Sequence, residues 1–300
     1  MSKVLSALWR VITFPFVLIF NLLAIPFRVF RRISQFLNVE PDDRPLIDTF
    51  SSLAAEEQAR ESFWGHIEAL RGHLLRIVIA LAIGVGISFY FTGPLMSYLA
   101  RPVGGLENLQ AIQVTEELGV FMRVALTSGI AIMLPYIAFE LWFFAAPGLK
   151  SKERKFSLLG IPFATILFLG GMAFTYYVLL PAALPFLGGF TDISQFWTAR
   201  DYFGFVTGLM IWIGLFFEFP LIIYILTSVG FVRPNVLAQH WRLAIVVIAI
   251  LAAAVTPTID PVNMALVMVP MTLLYFVSIG LSYVAYAGRR RNEATLESSA

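Results

Sequence analysis

Cysteine is absent from the 300 residues, which excludes disulfides, thiolate catalysis and cysteine-ligated metal. Histidine is scarce: His66, His73 and His240 lack the i, i+4 spacing of a helical zinc motif. Charged residues make up only 13% of the chain and sum to +2, too little to suggest a nucleic-acid surface. No nucleotide-binding loop, nucleophile elbow or zinc-hydrolase motif occurs. The chain is therefore not expected to be an enzyme, and neither cofactor nor metal is expected.

Apolar residues are abundant instead. They form 59% of the sequence, with a mean hydropathy of +0.81, outside the composition of ordinary soluble domains. Runs of about 20 apolar residues mark spanning helices, and six are predicted: Ile77–Leu99, Val120–Ala146, Leu158–Leu187, Phe203–Gly230, Leu243–Val255 and Asn263–Ala287. The fifth is near the lower length limit and implies local bilayer thinning or a helix that stops short of one surface. The expected fold class is thus an all-α polytopic membrane protein, embedded in the lipid bilayer. Pro135, Pro162, Pro181, Pro185, Pro220 and Pro270 recur in these spans; each removes a backbone donor, so kinked helices and a concave bundle are expected.

Basic residues set the orientation. Arg71 and Arg76 precede span one, Lys150, Lys152, Arg154 and Lys155 join spans two and three, Arg233 and Arg242 join four and five, and Arg289, Arg290 and Arg291 follow six. All fall on one side, which by the positive-inside rule places both termini in the cytoplasm. The opposite loops carry Arg101 and Arg200 among Glu107, Glu116, Glu117, Asp192, Asp201 and Asp260.

Residues 1–37 form an apolar and basic membrane-associated segment whose run Val11–Phe27 is interrupted by Pro15, Asn21 and Pro26. Interfacial helix and shallow hairpin both suit it. A polar linker, 38–62, follows, with a short helix expected near Ser52–Ser62. The six-helix domain then occupies 63–291, with a disordered tail at 292–300. Gly204 and Gly208 form one GxxxG pattern, better suited to close packing within the bundle than to dimerisation.

Glu218 is the costliest residue. It sits in the apolar run Tyr202–Leu226, where a central carboxylate costs roughly 2.5 to 3.5 kcal/mol on insertion scales. Such a group faces a hydrogen-bonding neighbour, a hydrated recess or a substrate path. Arg123 on span two lies at a different depth, by roughly 18 Å, so no salt bridge between the two is expected. At the basic side, the acids near Arg71 and in the Lys150–Lys155 loop offer bidentate partners for a ligand's guanidinium groups, or merely pair with local cations.

Four short motifs in order carry a resemblance: His66 to Arg71; Trp142, Phe144, Pro147, Gly148 and Leu149 with Glu153 and Arg154; Phe217-Glu218-Phe219-Pro220; and Thr256-Pro257 to Asp260-Pro261. Together they resemble the TatC family, the multispanning subunit of the twin-arginine protein translocase. The resemblance covers about Phe63 to Arg291. It implies a receptor that binds paired arginines of signal peptides on folded exported proteins and works with single-span TatA-like and TatB-like partners, driven by the proton-motive force in a prokaryotic cytoplasmic membrane. Self-association is also implied. Carried over by position, Glu153 matches the loop acid of the signal-peptide site, with Arg71 and Phe144 supporting it. Glu218 matches the buried acid of span four and, with Arg123, is a candidate intramembrane contact for a partner. Asp260 matches the acid of the last extracytoplasmic loop.

Three positions depart from the family pattern. Ala69 stands where a second glutamate lines the family's site, leaving Glu68 turned by about 100° on a helix. Phe276 replaces a frequent glutamate of span six. Glu140 stands where glutamine is common and is the candidate source of the missing negative charge. Two rival functions remain at this point: a proton-coupled small-solute transporter titrating Glu218, although no internal repeat is seen, and a scaffold without a direct ligand.

Overall fold

Lipid offers helices no hydrophobic drive to associate, so this chain's helices must meet through close backbone approach and polar ties. The computed structural model describes residues 57–148, 154, 157–189, 196–256 and 261–297. The N-terminal segment 1–37, the linker up to residue 56, Glu153 and Asp260 lie outside the described residues. Eight helices are described: α1 Glu57–Leu99, α2 Glu116–Ala145, α3 Gly160–Phe174, α4 Leu180–Gly189, α5 Ala199–Val229, α6 Pro234–Gln239, α7 Trp241–Val255 and α8 Pro261–Glu297. Two-residue strands β1, Leu109–Gln110, and β2, Trp197–Thr198, pair in parallel.

α1 is far longer than its predicted span. Its 43 residues extend about 65 Å, and it crosses residue 62 without a break, joining the end of the expected linker to the bundle. α8 likewise continues past residue 291 to Glu297. Among the described residues five stretches are long and apolar enough to cross a membrane: α1 from Ile67, α2, α3 with α4, α5 and α8. The predicted fifth span is α7, whose 15 residues reach about 22 Å against a hydrocarbon core of about 30 Å.

Prolines remove backbone donors from several of these helices. Pro94, Pro135, Pro185, Pro220 and Pro270 lie inside helices, whereas Pro162 sits in the first turn of α3, where no donor is lost. Between α3 and α4 the chain widens into a π-helical turn, Thr175–Leu179. Pro181 follows two residues after the turn, without the N–H that would continue the normal ladder, and Thr175 Oγ1 donates to Gly171 O at 2.9 Å.

α5 is the hub. It packs on α8, α3 and α2, α1 lies chiefly along α2, and α7 lies along α8. Tyr202, Phe203, Val206, Leu209 and Ile213 of α5 are fully buried with Phe168 and Leu180. Close approach makes this possible: a Cβ on Gly171 would stand 2.8 Å from Gly214 Cα, and one on Gly214 would stand 2.9 Å from the Phe168 ring. α5 ends at Gly230, φ 92°, in the left-handed region that favours glycine. The Arg289 guanidinium lies over that glycine, placing a cation at the helix C-terminus.

The end opposite the basic loops is stitched by polar groups. Tyr202 Oη donates to Leu99 O at 2.6 Å and Tyr176 Oη to Tyr98 O at 2.8 Å. Buried Glu116 accepts the backbone N–H groups of Ile112, Gln113 and Arg200 at 3.0, 3.3 and 2.8 Å, so one carboxylate joins the starts of α2 and α5.

The Gly171–Gly214 crossing sets a stability prediction. Gly171→Leu should force α3 from α5 and cost about 1–3 kcal/mol, read as a lower thermal midpoint of the detergent-purified chain. Gly170→Leu, where no atom lies within 4 Å of a Cβ, should leave the midpoint unchanged; equal losses in both would refute the crossing.

Candidate functional site

At the basic end, α1 and α2 bring together the residues singled out in the sequence. Glu140, near the last turns of α2, is 5% exposed. Its Oε2 lies 2.6 Å from His73 Nδ1 and accepts Arg76 Nε–H at 3.1 Å, while Oε1 accepts Tyr136 Oη–H at 2.7 Å. A single buried carboxylate therefore engages two cationic-capable side chains of α1 and the tyrosine one turn earlier on its own helix.

His73 Nδ1 also lies 2.8 Å from Arg76 Nη2. An arginine nitrogen only donates, so Nδ1 cannot serve both neighbours: with a proton it bonds Glu140, without one it accepts from Arg76. The shorter, charge-assisted contact favours Nδ1–H donating to Glu140, which leaves Arg76 attached through Nε. Phe143 and Phe144 flank the imidazole with ring centroids at 5.7 and 5.9 Å. This gives Phe144 a defined place against α1.

Glu140 is thus at the predicted end, but its charge is already held inside the protein. The exposed charges are Glu68 and Arg71, one turn apart on α1 and joined at 3.4 Å, with side chains 73% and 79% exposed. A pair this exposed contributes little to stability and is accessible to a ligand. Ala69 lies between them, exposed. The His66 side chain and all of Glu153 lie outside the described residues, but the residue after Glu153 is firmly anchored. Arg154 is buried and donates from Nε to Ala146 O at 2.9 Å; Ser157 Oγ donates to Arg154 O at 3.1 Å and accepts from Trp142 Nε1 at 2.8 Å. Burial lowers the pKa of the Arg154 guanidinium from its ordinary value. The segment following the basic loop is thereby clamped to the end of α2.

Glu218 lies midway along α5, half-buried, and its buried Oε1 has no hydrogen-bond partner among the described residues. No described Ser, Thr or Tyr supplies the bond considered from the sequence. Arg123 is distant: its guanidinium rests against Gly204, 14 residues before Glu218 and about 21 Å along the helix. The structure therefore groups Glu140, Phe144, Glu68 and Arg71 around one end of α1 and α2, and leaves Glu218 and Arg123 apart from it and from each other.

The ties of Glu140 went unread in the sequence, where Arg76 counted only as a topology marker and His73 as an isolated histidine. Two signals were present: the i, i+4 spacing of Tyr136 and Glu140, and the rule that a membrane-embedded acid requires a partner. Among the described residues no group of three His, Cys, Asp or Glu side chains is placed to hold a metal ion.

A double-mutant cycle measures the buried cluster. Glu140→Ala, which strands His73 and Arg76, should cost about 3 kcal/mol, while Tyr136→Phe should cost about 1 kcal/mol. Combining Glu140→Ala with His73→Ala should reveal a coupling of about 1 kcal/mol or more in thermal unfolding; simple additivity would show that the 2.6 Å contact contributes nothing.

Comparison with known proteins places this arrangement. The model of the family described as "Sec-independent protein translocase protein (TatC)" matches residues 65–270. The chain is 34% identical over 229 residues to the Sec-independent protein translocase protein TatC of Halalkalibacterium halodurans, covering 75% of this chain and 90% of that one. It is 35% identical over 240 residues to the protein of the same name from Deinococcus radiodurans, covering 77% and 89%. A crystal structure of a twin-arginine translocase receptor, TatC, superposes with a TM-score of 0.66 at 32% identity, covering 73% of this chain and 99% of that one.

Proposed function

The chain belongs to the TatC family of Sec-independent protein translocase proteins, and we propose that within that system it is the receptor for twin-arginine signal peptides of folded proteins. It is a multi-pass membrane component of a protein translocase and not an enzyme. The observation that carries the receptor reading is the arrangement at the basic end: exposed Glu68 and Arg71, the clamped Arg154 next to Glu153, and Phe144 seated on His73.

Two guanidinium groups require fixed carboxylates at an accessible surface. Glu153 supplies the principal one and Glu68 the second, in place of the glutamate replaced by Ala69. Each carboxylate can accept two parallel N–H bonds from arginine, a fork that lysine lacks. Arg71 holds Glu68 until the ligand arrives. Glu140 contributes by position: its bonds to His73 and Arg76 fix the α1 surface relative to α2. Glu218, with a free buried oxygen at mid-membrane, offers a polar contact to a partner helix of a TatA-like or TatB-like subunit. Asp260 belongs to the extracytoplasmic loop before α8.

The topology follows. With α7 counted as a short fifth span that thins the bilayer locally, six crossings place both termini in the cytoplasm of a prokaryote, and the basic end faces the signal peptide. The resemblance to the family implies that translocation draws on the proton-motive force. Residues 1–37 add a surface-lying or hairpin anchor.

Site-specific photo-crosslinking from positions 68, 71 and 150 to a twin-arginine peptide tests the reading. Glu153→Ala should abolish crosslinking while leaving membrane topology intact, and a twin-lysine peptide should fail against the unmodified chain. Normal crosslinking to Glu153→Ala would refute the assignment.

A further inference from the structure

Arg123 is a charge in a membrane helix with no hydrogen bond or ion pair to its guanidinium among the described residues, and it is exposed. A cation in that state is available to an anionic group from outside the chain. Its depth can be read from the fold. Glu116 of α2 and Arg200 of α5 are joined at 2.8 Å and define one level. The Arg123 backbone lies seven residues below Glu116, about 10 Å, whereas Gly204 lies four residues below Arg200, about 6 Å. The guanidinium stands at Gly204, where a Cβ would meet Nη1 at 2.5 Å. The side chain therefore rises about 4 Å toward the surface, reaching the headgroup boundary, as a snorkelling arginine does.

The α5 strip beside it is shaped for a lipid. Nothing lies within 4 Å of a Cβ on Gly208, Trp212 one turn deeper is exposed, and Leu126 of α2 is exposed on the other side. One turn shallower on the same face as Gly204 is Asp201, exposed, whose Oδ2 accepts Thr198 Oγ1–H at 2.8 Å and which forms no ion pair among the described residues. The other charges at this end among the described residues are Glu116, bonded to three backbone N–H groups, Arg200, whose Nη2 donates to Gln113 Oε1 at 2.8 Å, exposed Glu117, and, in the loop before α2, exposed Glu107 and Arg101, the latter over the Tyr98 ring at 4.9 Å.

We propose that Arg123, Asp201 and the glycine strip Gly204–Gly208 bind a phospholipid whose headgroup carries a phosphate and a primary ammonium, a phosphoethanolamine lipid of the leaflet opposite the basic end. The phosphate, deeper in the headgroup, takes the Arg123 fork; the ammonium, one short spacer farther out, donates to Asp201, one helical turn or about 5 Å shallower. An acyl chain then runs over Gly208 toward Trp212. A headgroup without a cation meets the Asp201 carboxylate unfavourably, and a quaternary ammonium has no N–H to donate to it. This assignment does not depend on the receptor reading.

The test is native mass spectrometry of the full chain, purified in detergent and exposed to equimolar phosphatidylethanolamine, phosphatidylglycerol and phosphatidylcholine. Phosphatidylethanolamine should be retained several-fold over the other two. Arg123→Gln should abolish retention of all three, and Asp201→Asn should bring phosphatidylethanolamine down to the level of phosphatidylcholine. Arg123→Lys, which keeps the charge, should weaken retention several-fold and serves if the glutamine variant fails to fold. Phosphatidylglycerol bound as well as phosphatidylethanolamine, or retention unchanged in the variants, would overturn the proposal. So would a photo-crosslinker at position 208 that captures a protein helix in membranes instead of lipid.

Discussion

The fold depends on the absence of hydrophobic cohesion between apolar helices in lipid. What replaces it is backbone proximity in the middle and saturated polar groups at the ends. Gly171 against Gly214 brings α3 and α5 to van der Waals contact. At one end Glu116, Tyr202 and Tyr176 bind backbone groups of neighbouring elements; at the other, Glu140 gathers His73, Arg76 and Tyr136. A buried carboxylate is expensive alone and directional once satisfied, so each of these acids fixes one helix end relative to another rather than merely attracting it.

That distinction separates structural charges from available ones. Glu116, Glu140 and Arg154 are buried with hydrogen bonds to the chain itself. Among the described residues Glu68 and Arg71 are exposed and bonded to each other alone, Glu218 has an oxygen without a partner, and Arg123 rests on a glycine with no anion at hand. The saturated group gives rigidity, and the unsaturated group keeps hydrogen-bonding capacity for groups from outside the chain.

Much of the bundle was legible because its signals are local. Apolar runs predicted the long helices, and the shortness of Leu243–Val255 reappears in α7. Four of the prolines read from the spans, Pro135, Pro185, Pro220 and Pro270, lie inside helices, whereas Pro162 falls in a first turn. The π turn at Thr175–Leu179 was not legible, because Pro181 alone does not say whether the ladder bends, breaks or widens. The extension of α1 was missed for a different reason: residues 57–76 are too polar for a span rule, yet nothing in them stops a helix already propagating from Ile77.

The site was legible in its residue types and illegible in its pairings. Glu140 drew notice as an acid where the family often has an amide, and charge counting suggested that it replaces the glutamate lost at Ala69. Geometry argues for a different compensation. A carboxylate in place of an amide at position 140 introduces a charge that the interior must neutralise, and α1 provides His73 and Arg76 within hydrogen-bonding distance. Glu140 and its two α1 neighbours form one interior unit, an acid held by His73 and Arg76 three residues apart on the same face of α1. Changes within this unit are coupled: removing the acid strands His73 and Arg76, and removing either of them takes a bond from a buried carboxylate.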